Sequence, residues 1–301
     1  VWVFFFSMMA GCLGGSQTYT IAEAVSTSFG IPIVPFTFVF CIFVIFIIAK
    51  GITSIAKFAT NIVPFMCIAY IVGGLVVIAV NFRAIPAVFA QIFTDAFTGT
   101  AAIGGFTGVT VSRVIAIGVA RSINSNEAGM GGSPFAHSSA ETPHPVRQGL
   151  WGNFEVFVDT IIICTITALT ILCSGTWNSG IGGASLTILA YTSVFGNWGS
   201  KIVTVMIFLF GLTTITGWFA YYEVMLRQMI GDREVFLKRF MTCFKIFYNL
   251  PGLYVVWLAV NGGDGPTLIW AVSDLINAFP TFVNCITLLL LIKTYLKLVN
   301  D

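Results

Sequence analysis

The chain has 301 residues, of which 57% are hydrophobic and only 9% charged, and its formal net charge is +2. Soluble globular domains carry about a quarter charged residues, so a soluble fold is excluded, and a charge this near zero gives no electrostatic basis for binding nucleic acid. The apolar runs reach about 20 residues, the length at which a helix crosses a hydrocarbon core, whereas barrel strands would alternate in short segments.

The expected fold class is therefore an all-α polytopic membrane protein, a single transmembrane domain over residues 1–301. Seven cysteines (Cys12, Cys41, Cys67, Cys164, Cys173, Cys243 and Cys285) lie inside apolar runs without paired spacing. They read as small buried hydrophobes, not as disulfides or metal ligands. The chain opens at Val1, already inside an apolar run and without the basic start of a signal peptide, which reads as a fragment of a longer protein.

In chain order, residues 1–29 make a first span that grows polar toward Gln17, Thr18, Thr20 and Glu23, with Gly11 and Gly15 at the GxxxG spacing that permits close helix approach. Residues 33–49 make a second, closed by Lys50 and Gly51, and a third runs from about Lys57 to Val80 with Pro64 expected to kink it. From Ile85 to Phe97 the apolar residues fall on one helical face over too short a length to span, which predicts an interfacial helix. A fourth span starts near Val109. The fifth runs from Trp151 to Ile171, followed by a Gly/Ser-rich loop with a short apolar patch over 175–200, and the sixth from Lys201 to Gln228. A basic hinge, Arg227 to Arg239, leads to a seventh ending near Val260, and an eighth covers about Leu268 to Ile292. With the first span running outward, Lys50, Lys57, Arg147, Arg227, Arg233, Lys238, Arg239, Lys293 and Lys297 are cytoplasmic against Arg83, Arg113 and Lys201 opposite, as the positive-inside rule requires.

The greasy pattern is interrupted at Ser122 to Gly149, where Asn124, Asn126 and Glu127 precede Gly129, Gly131, Gly132 and Pro134. If Val109 to Ala140 is one crossing, its helix is broken at mid-membrane, which is tolerated only where the freed backbone groups face protein or a wet cavity. Secondary transporters use such breaks to bind substrate and cation. The same residues also fit a helix that ends near Ile123, with the polar stretch outside the bilayer. Asn126, whose amide both donates and accepts, is the better ligand candidate at the break, and Gln17 sits on a polar face of the first span. Thr213 and Thr214 offer hydroxyl oxygens to a sodium ion, although membrane threonines commonly bond their own i−4 carbonyl. Trp218 can wall a pocket or simply pack. Glu155 and Asp159, four apart, form either an ion relay or polar glue satisfied by Arg147 or Arg121. His137 and His144 lack any metal-binding pattern, so no transition metal and no cofactor are expected.

The run Ser125-Asn126-Glu127-Ala128-Gly129-Met130-Gly131-Gly132-Ser133-Pro134, continuing through His144-Pro145-Val146-Arg147-Gln148-Gly149, closely resembles the signature of the alanine or glycine:cation symporters, the sodium:alanine symporter family. Phe154-Glu155-Val156-Phe157-Val158-Asp159-Thr160 and Val63-Pro64-Phe65-Met66 resemble its neighbouring helices. The resemblance covers essentially the whole chain. It implies a leucine-transporter-like inverted-repeat fold, with about eight spans present (core helices three to ten), one of them broken, and the N-terminal helices missing. It also implies sodium-coupled symport of alanine or glycine into the cell across the plasma membrane. Substrate contacts carry over to Gln17, Asn126 and Trp218, and sodium ligands to Thr213 and Thr214. One departure is Arg121-Ser122-Ile123-Asn124, where the family pattern has Arg-Gly-X-Phe; it bears on side-chain size selectivity. The rivals are a proton-coupled carrier titrating Glu127, Glu155 or Asp159, and a membrane-embedded enzyme using His137 with Glu127 or Glu141, which lacks a nucleophile or metal set.

Overall fold

A computed structural model describes residues 15–97, 111–231, 233–262 and 265–300. Among these residues all regular structure is helical: α1 Ser16–Phe29, α2 Ile33–Ala49, α3 Ile52–Val80, α4 Ile85–Phe97, α5 Val111–Asn126, α6 Ser133–His137, α7 Pro145–Phe157, α8 Cys164–Cys173, α9 Gly183–Phe195, α10 Asn197–Ile230, α11 Glu234–Phe247, α12 Leu250–Val260 and α13 Gly265–Asn300. Among the described residues, five helical stretches are long and apolar enough to cross a membrane: Ile52–Val80, Pro145–Cys173, Asn197–Ile230, Glu234–Val260 and Asn277–Asn300. Ile33–Ala49 and Gly183–Phe195 are shorter apolar helices. The outward-facing surface is apolar, with Leu289 71% and Leu290 78% exposed on α13, as a lipid-facing helix requires.

Several expectations hold closely. The helix expected over residues 33–49 matches α2 to the residue, because Pro32 sets its start and Lys50–Gly51 its end. Residues 85–97 form one helix, α4, with Val88 buried while Phe89, Ile92 and Phe93 are exposed. Helix α3 runs on through Pro64. Other elements differ. The stretch expected as a loop over 175–200 contains α9, which starts at the turn glycines Gly182 and Gly183 and ends at Gly196 (φ 59°). Its Tyr191 is buried, so it packs as a helix although too short to span. Helices α7 and α8 are joined by a π-helical stretch, Val158–Ile163, in which the Cys164 N–H reaches back to the Asp159 carbonyl. The expected seventh span holds as the stretch Glu234–Val260, but it is broken into α11 and α12 at Tyr248 and Asn249, with Pro251 in the first turn of α12.

The described chain falls into two compact units. The first gathers described residues of Val1–Ile68, Gly129–Gly152 and Thr204–Asp301. Its core packs Ile21, Phe40, Val44, Leu212, Phe219, Tyr222 and Phe244 from α1, α2, α10 and α11, with Tyr248 from the α11–α12 junction. In lipid, helices are held by close packing and hydrogen bonds more than by the hydrophobic effect, and both are present. A Cβ on Gly252 would stand 2.6 Å from the Thr18 Cβ, and one on Gly15 (φ 69°) would stand 2.6 Å from the Gly252 nitrogen. Thus α1 and α12 touch backbone to backbone. Gly15 does serve a close approach; its GxxxG partner Gly11 lies outside the described residues. At the same crossing the Thr18 hydroxyl donates to Asn249 Oδ1 (2.8 Å), Asn249 Nδ2 donates to Cys41 Sγ (3.5 Å), and the Tyr248 hydroxyl donates to the Ile215 carbonyl (2.8 Å). The α11–α12 junction is therefore pinned to α1, α2 and α10 by two consecutive residues.

The second unit gathers Ala69–Ala128 and Asn153–Val203. Tyr70 and Thr167 share a 2.7 Å hydroxyl contact, and the Tyr191 hydroxyl donates to the Tyr70 carbonyl at 3.0 Å. Gly73 and Gly74 leave room for this packing: a Cβ on Gly73 would meet the Tyr191 ring at 2.9 Å, and one on Gly74 would strike Ile166.

Candidate functional site

Helix α5 ends at Asn126, and the side chain of that residue shapes the ending. Its Oδ1 accepts the Ala128 N–H (2.9 Å), an Asx turn that diverts the chain from the helical path. Its Nδ2 donates to the Thr160 hydroxyl at 2.9 Å and, more weakly, to the Ser122 hydroxyl at 3.4 Å. Next to it the Ser125 hydroxyl donates to Asp159 Oδ2 (2.7 Å). Asp159 and Thr160 both lie in the π-helical stretch; π turns inside α-helices are frequent at functional sites. The turn then runs through left-handed backbone at Glu127 (φ 55°), Gly129 (φ 85°) and Gly131 (φ 90°). Glycine adopts that region at no steric cost, while a carboxylate residue there is uncommon. At Ser133 and Pro134 a new helix begins, α6, a segment of only five residues.

The turn is lined by polar groups that a hydrocarbon environment would not tolerate unless they were shielded. Glu127 Oε2 is buried and has no hydrogen-bond partner among the described residues, and Glu155 and Asp159 are near enough to act on it electrostatically. On the α6 side, Met130, Gly131 and Gly132 are buried, and the Gly129 carbonyl accepts a hydrogen bond from Asn284 Nδ2 of α13 at 3.0 Å. His137 is engaged locally with Gln148 at 2.8 Å. Among the described residues there is no group of three or more His, Cys, Asp or Glu side chains able to hold a metal ion.

The other residues singled out from the sequence lie in the first unit. Gln17 is half-buried in the first turn of α1. A Cβ on Gly211 of α10 would stand 2.5 Å from Ile21 Cδ1 and 3.9 Å from the Gln17 carbonyl, so α1 and α10 touch two residues before Thr213. Thr213 and Thr214, two and three residues on, lie about 200° and 300° round α10 from Gly211. The Thr213 hydroxyl donates to the carbonyls of Leu209 (3.0 Å) and Phe210 (2.9 Å), and that of Thr214 to Phe210 (2.9 Å). These are the back-bonds that membrane threonines make; each still leaves oxygen lone pairs directed away from the donated proton. Trp218 stacks edge-on against Tyr221 (5.3 Å between centroids) and tilts against Tyr222 at 6.3 Å, so its ring is fixed on two sides. Asn126 belongs to the second unit.

Two functional-looking side chains were not singled out from the sequence. Asn249 is a single amide in an apolar run, and its partners lie 231 and 208 residues away. Asn284 had a signal in principle: Asn277, Thr281 and Asn284 fall at i, i+4 and i+7 in α13, a polar stripe leading into the apolar run that ends at Ile292.

Comparison with known proteins bears on the whole chain. The model of the sodium:alanine symporter family matches residues 1–301. Relatives include an uncharacterized transporter of Haemophilus influenzae, 36% identical over 95% of this chain and 60% of its own length. The sodium/alanine symporter AgcS of Methanococcus maripaludis is 34% identical over 91% of this chain and 58% of its own. The sodium/proton-dependent alanine carrier protein of Bacillus sp. strain PS3 is 31% identical over 97% of this chain and 66% of its own. The chain thus spans about three fifths of the length of these relatives.

Proposed function

The chain belongs to the sodium:alanine symporter family, a family of transporters and not of enzymes, and on that basis we propose that the protein carries alanine or glycine into the cell together with sodium, by alternating access. It is a multi-pass protein of the plasma membrane. The observation that supports the reading is the glycine turn between α5 and α6, which coincides with the family signature. In this reading α5 and α6 are the two halves of one discontinuous membrane helix, within a leucine-transporter-like inverted repeat of about eight spans in this chain.

Gln17 and Asn126 hold the amino and carboxylate groups of the substrate. For Asn126 this means giving up its weaker bond, the 3.4 Å contact to Ser122, while Oδ1 keeps the turn. Trp218, held by two tyrosines, limits the volume of the substrate side chain. Thr213 and Thr214 present lone pairs to sodium, their protons being directed to Leu209 and Phe210. No cofactor takes part beyond sodium as the coupling ion. Its small partners in this reading are the amino acid and the cation, and the lipid bilayer is its solvent.

The test is alanine uptake into proteoliposomes by the full-length protein. Uptake that needs an inward sodium gradient supports the reading, and uptake equally fast with choline in place of sodium overturns it. A second reading, proton coupling, is favoured by one observation: Glu127 Oε2 is buried without a hydrogen-bond partner among the described residues, beside Glu155 and Asp159. Uptake driven by a pH gradient without sodium, and lost in Glu127→Gln, would select it.

A further inference from the structure

Where a helix is opened inside a membrane, each freed carbonyl needs a donor. In a continuous helix the Gly129 carbonyl would accept the Ser133 N–H. Gly129 instead takes a left-handed φ of 85°, and its carbonyl is met from another element, by Asn284 Nδ2 at 3.0 Å across 155 residues of sequence. Asn284 lies on the polar stripe of α13. Its stripe neighbours Thr281 and Thr287 turn their hydroxyls back to the Asn277 and Val283 carbonyls of their own helix; Asn284 reaches outward. The opposite face of the same helix, at Leu289 and Leu290, is exposed and apolar. A neutral amide suits the position, since it can donate to a carbonyl without placing a charge in the bilayer. One turn before it stands Pro280, which removes a helical hydrogen bond and lets α13 bend there.

We propose that Asn284 is a positioning residue for substrate binding, holding the Gly129 carbonyl so that the backbone of the glycine turn from Gly129 to Gly132 keeps its binding-competent geometry. The inference rests on the reading of that turn as part of the substrate site. Asn284 does not itself touch the amino acid. It sets affinity by keeping the turn in a single shape, so that the substrate does not have to order it on binding.

The experiment compares Asn284→Asp, which keeps shape but replaces the donor by an acceptor, with Asn284→Ala and with Asn284→Gln, which keeps an amide. Two measurements are made on the full-length protein. Amide hydrogen exchange over residues 129–132, in detergent without substrate, is expected to quicken in Asn284→Asp and Asn284→Ala, to be partly restored in Asn284→Gln, and to remain unchanged in α1 and α10. In proteoliposomes the KM for alanine is expected to rise roughly three- to tenfold in the Asp and Ala variants with Vmax per folded molecule unchanged, the size of one interhelical hydrogen bond in a membrane. Unchanged exchange at 129–132 in Asn284→Asp overturns the proposal. So does a fall in Vmax and abundance at constant KM, the signature of a merely structural role. If the unaltered protein moves no alanine, the transport reading fails while the exchange measurement still decides whether Asn284 holds the turn.

Discussion

Asn249 and Gly252 show how much of the first unit hangs on individual atoms. Asn249 is 7% exposed, and its amide joins α1 and α2 at the point where α11 gives way to α12. Asn249→Leu removes both contacts and leaves the Thr18 hydroxyl facing an apolar group, at a cost of about 1–3 kcal/mol; thermal unfolding in detergent should show the loss. Gly252→Ala forces a methyl to within 2.6 Å of Thr18 Cβ. That atom belongs to a β-branched stem and cannot swing aside, so overpacking of about 1–3 kcal/mol is expected, read in the same assay. If Gly252→Ala unfolds at the wild-type temperature, the backbone contact between α1 and α12 is not as close as described. The threonine pair gives a functional counterpart. Thr213→Val and Thr214→Val keep volume and lose an oxygen, and each should raise the half-saturating sodium concentration of uptake by roughly tenfold, equivalent to ~1.4 kcal/mol. Thr216→Val is the control: Thr216 makes the same kind of back-bond, to Leu212 at 2.9 Å, and its loss should leave sodium dependence where it was. Equal effects in all three would mean that only helix structure had been disturbed.

Among elements, those bounded by strong local punctuation were readable in the sequence. Pro32 and Lys50–Gly51 frame α2, and Gly129, Gly131, Gly132 and Pro134 mark the interruption between α5 and α6. Helix α9 was hidden because glycines and serines surround it and its 13 residues fall short of a membrane crossing, so length and composition pointed to a loop; what makes it a helix is the burial of Tyr191 against Tyr70 and Gly73. The parting of α11 from α12 was hidden for another reason. Tyr248 and Asn249 look ordinary in an apolar run, and only their distant partners show that the backbone turns there. The candidate ligands were found by residue type in polar patches, whereas Asn284 acts through a carbonyl, and a carbonyl has no letter in a sequence.

For the whole molecule, the prediction with most consequence is the ion that drives transport. The carbonyl-rich glycine turn and the threonine pair of α10 suit sodium, and the buried oxygen of Glu127 suits a proton; uptake under separately imposed sodium and pH gradients separates them. Either ion must be linked to movement of the helices that carry the site, and the π-helical stretch Val158–Ile163 bears on that linkage. It amounts to one surplus residue stored within a helix. Asp159 and Thr160, which hold the end of α5, lie in it, while Thr167, which holds Tyr70 of α3, lies beyond it. Deleting Ile162 would let the ladder close as a plain α-helix and turn one pair of contacts by about 100° relative to the other. The two grips could then no longer be held at once, so chain length at this point acts as a phase setting between neighbouring helices, adjustable by a single codon.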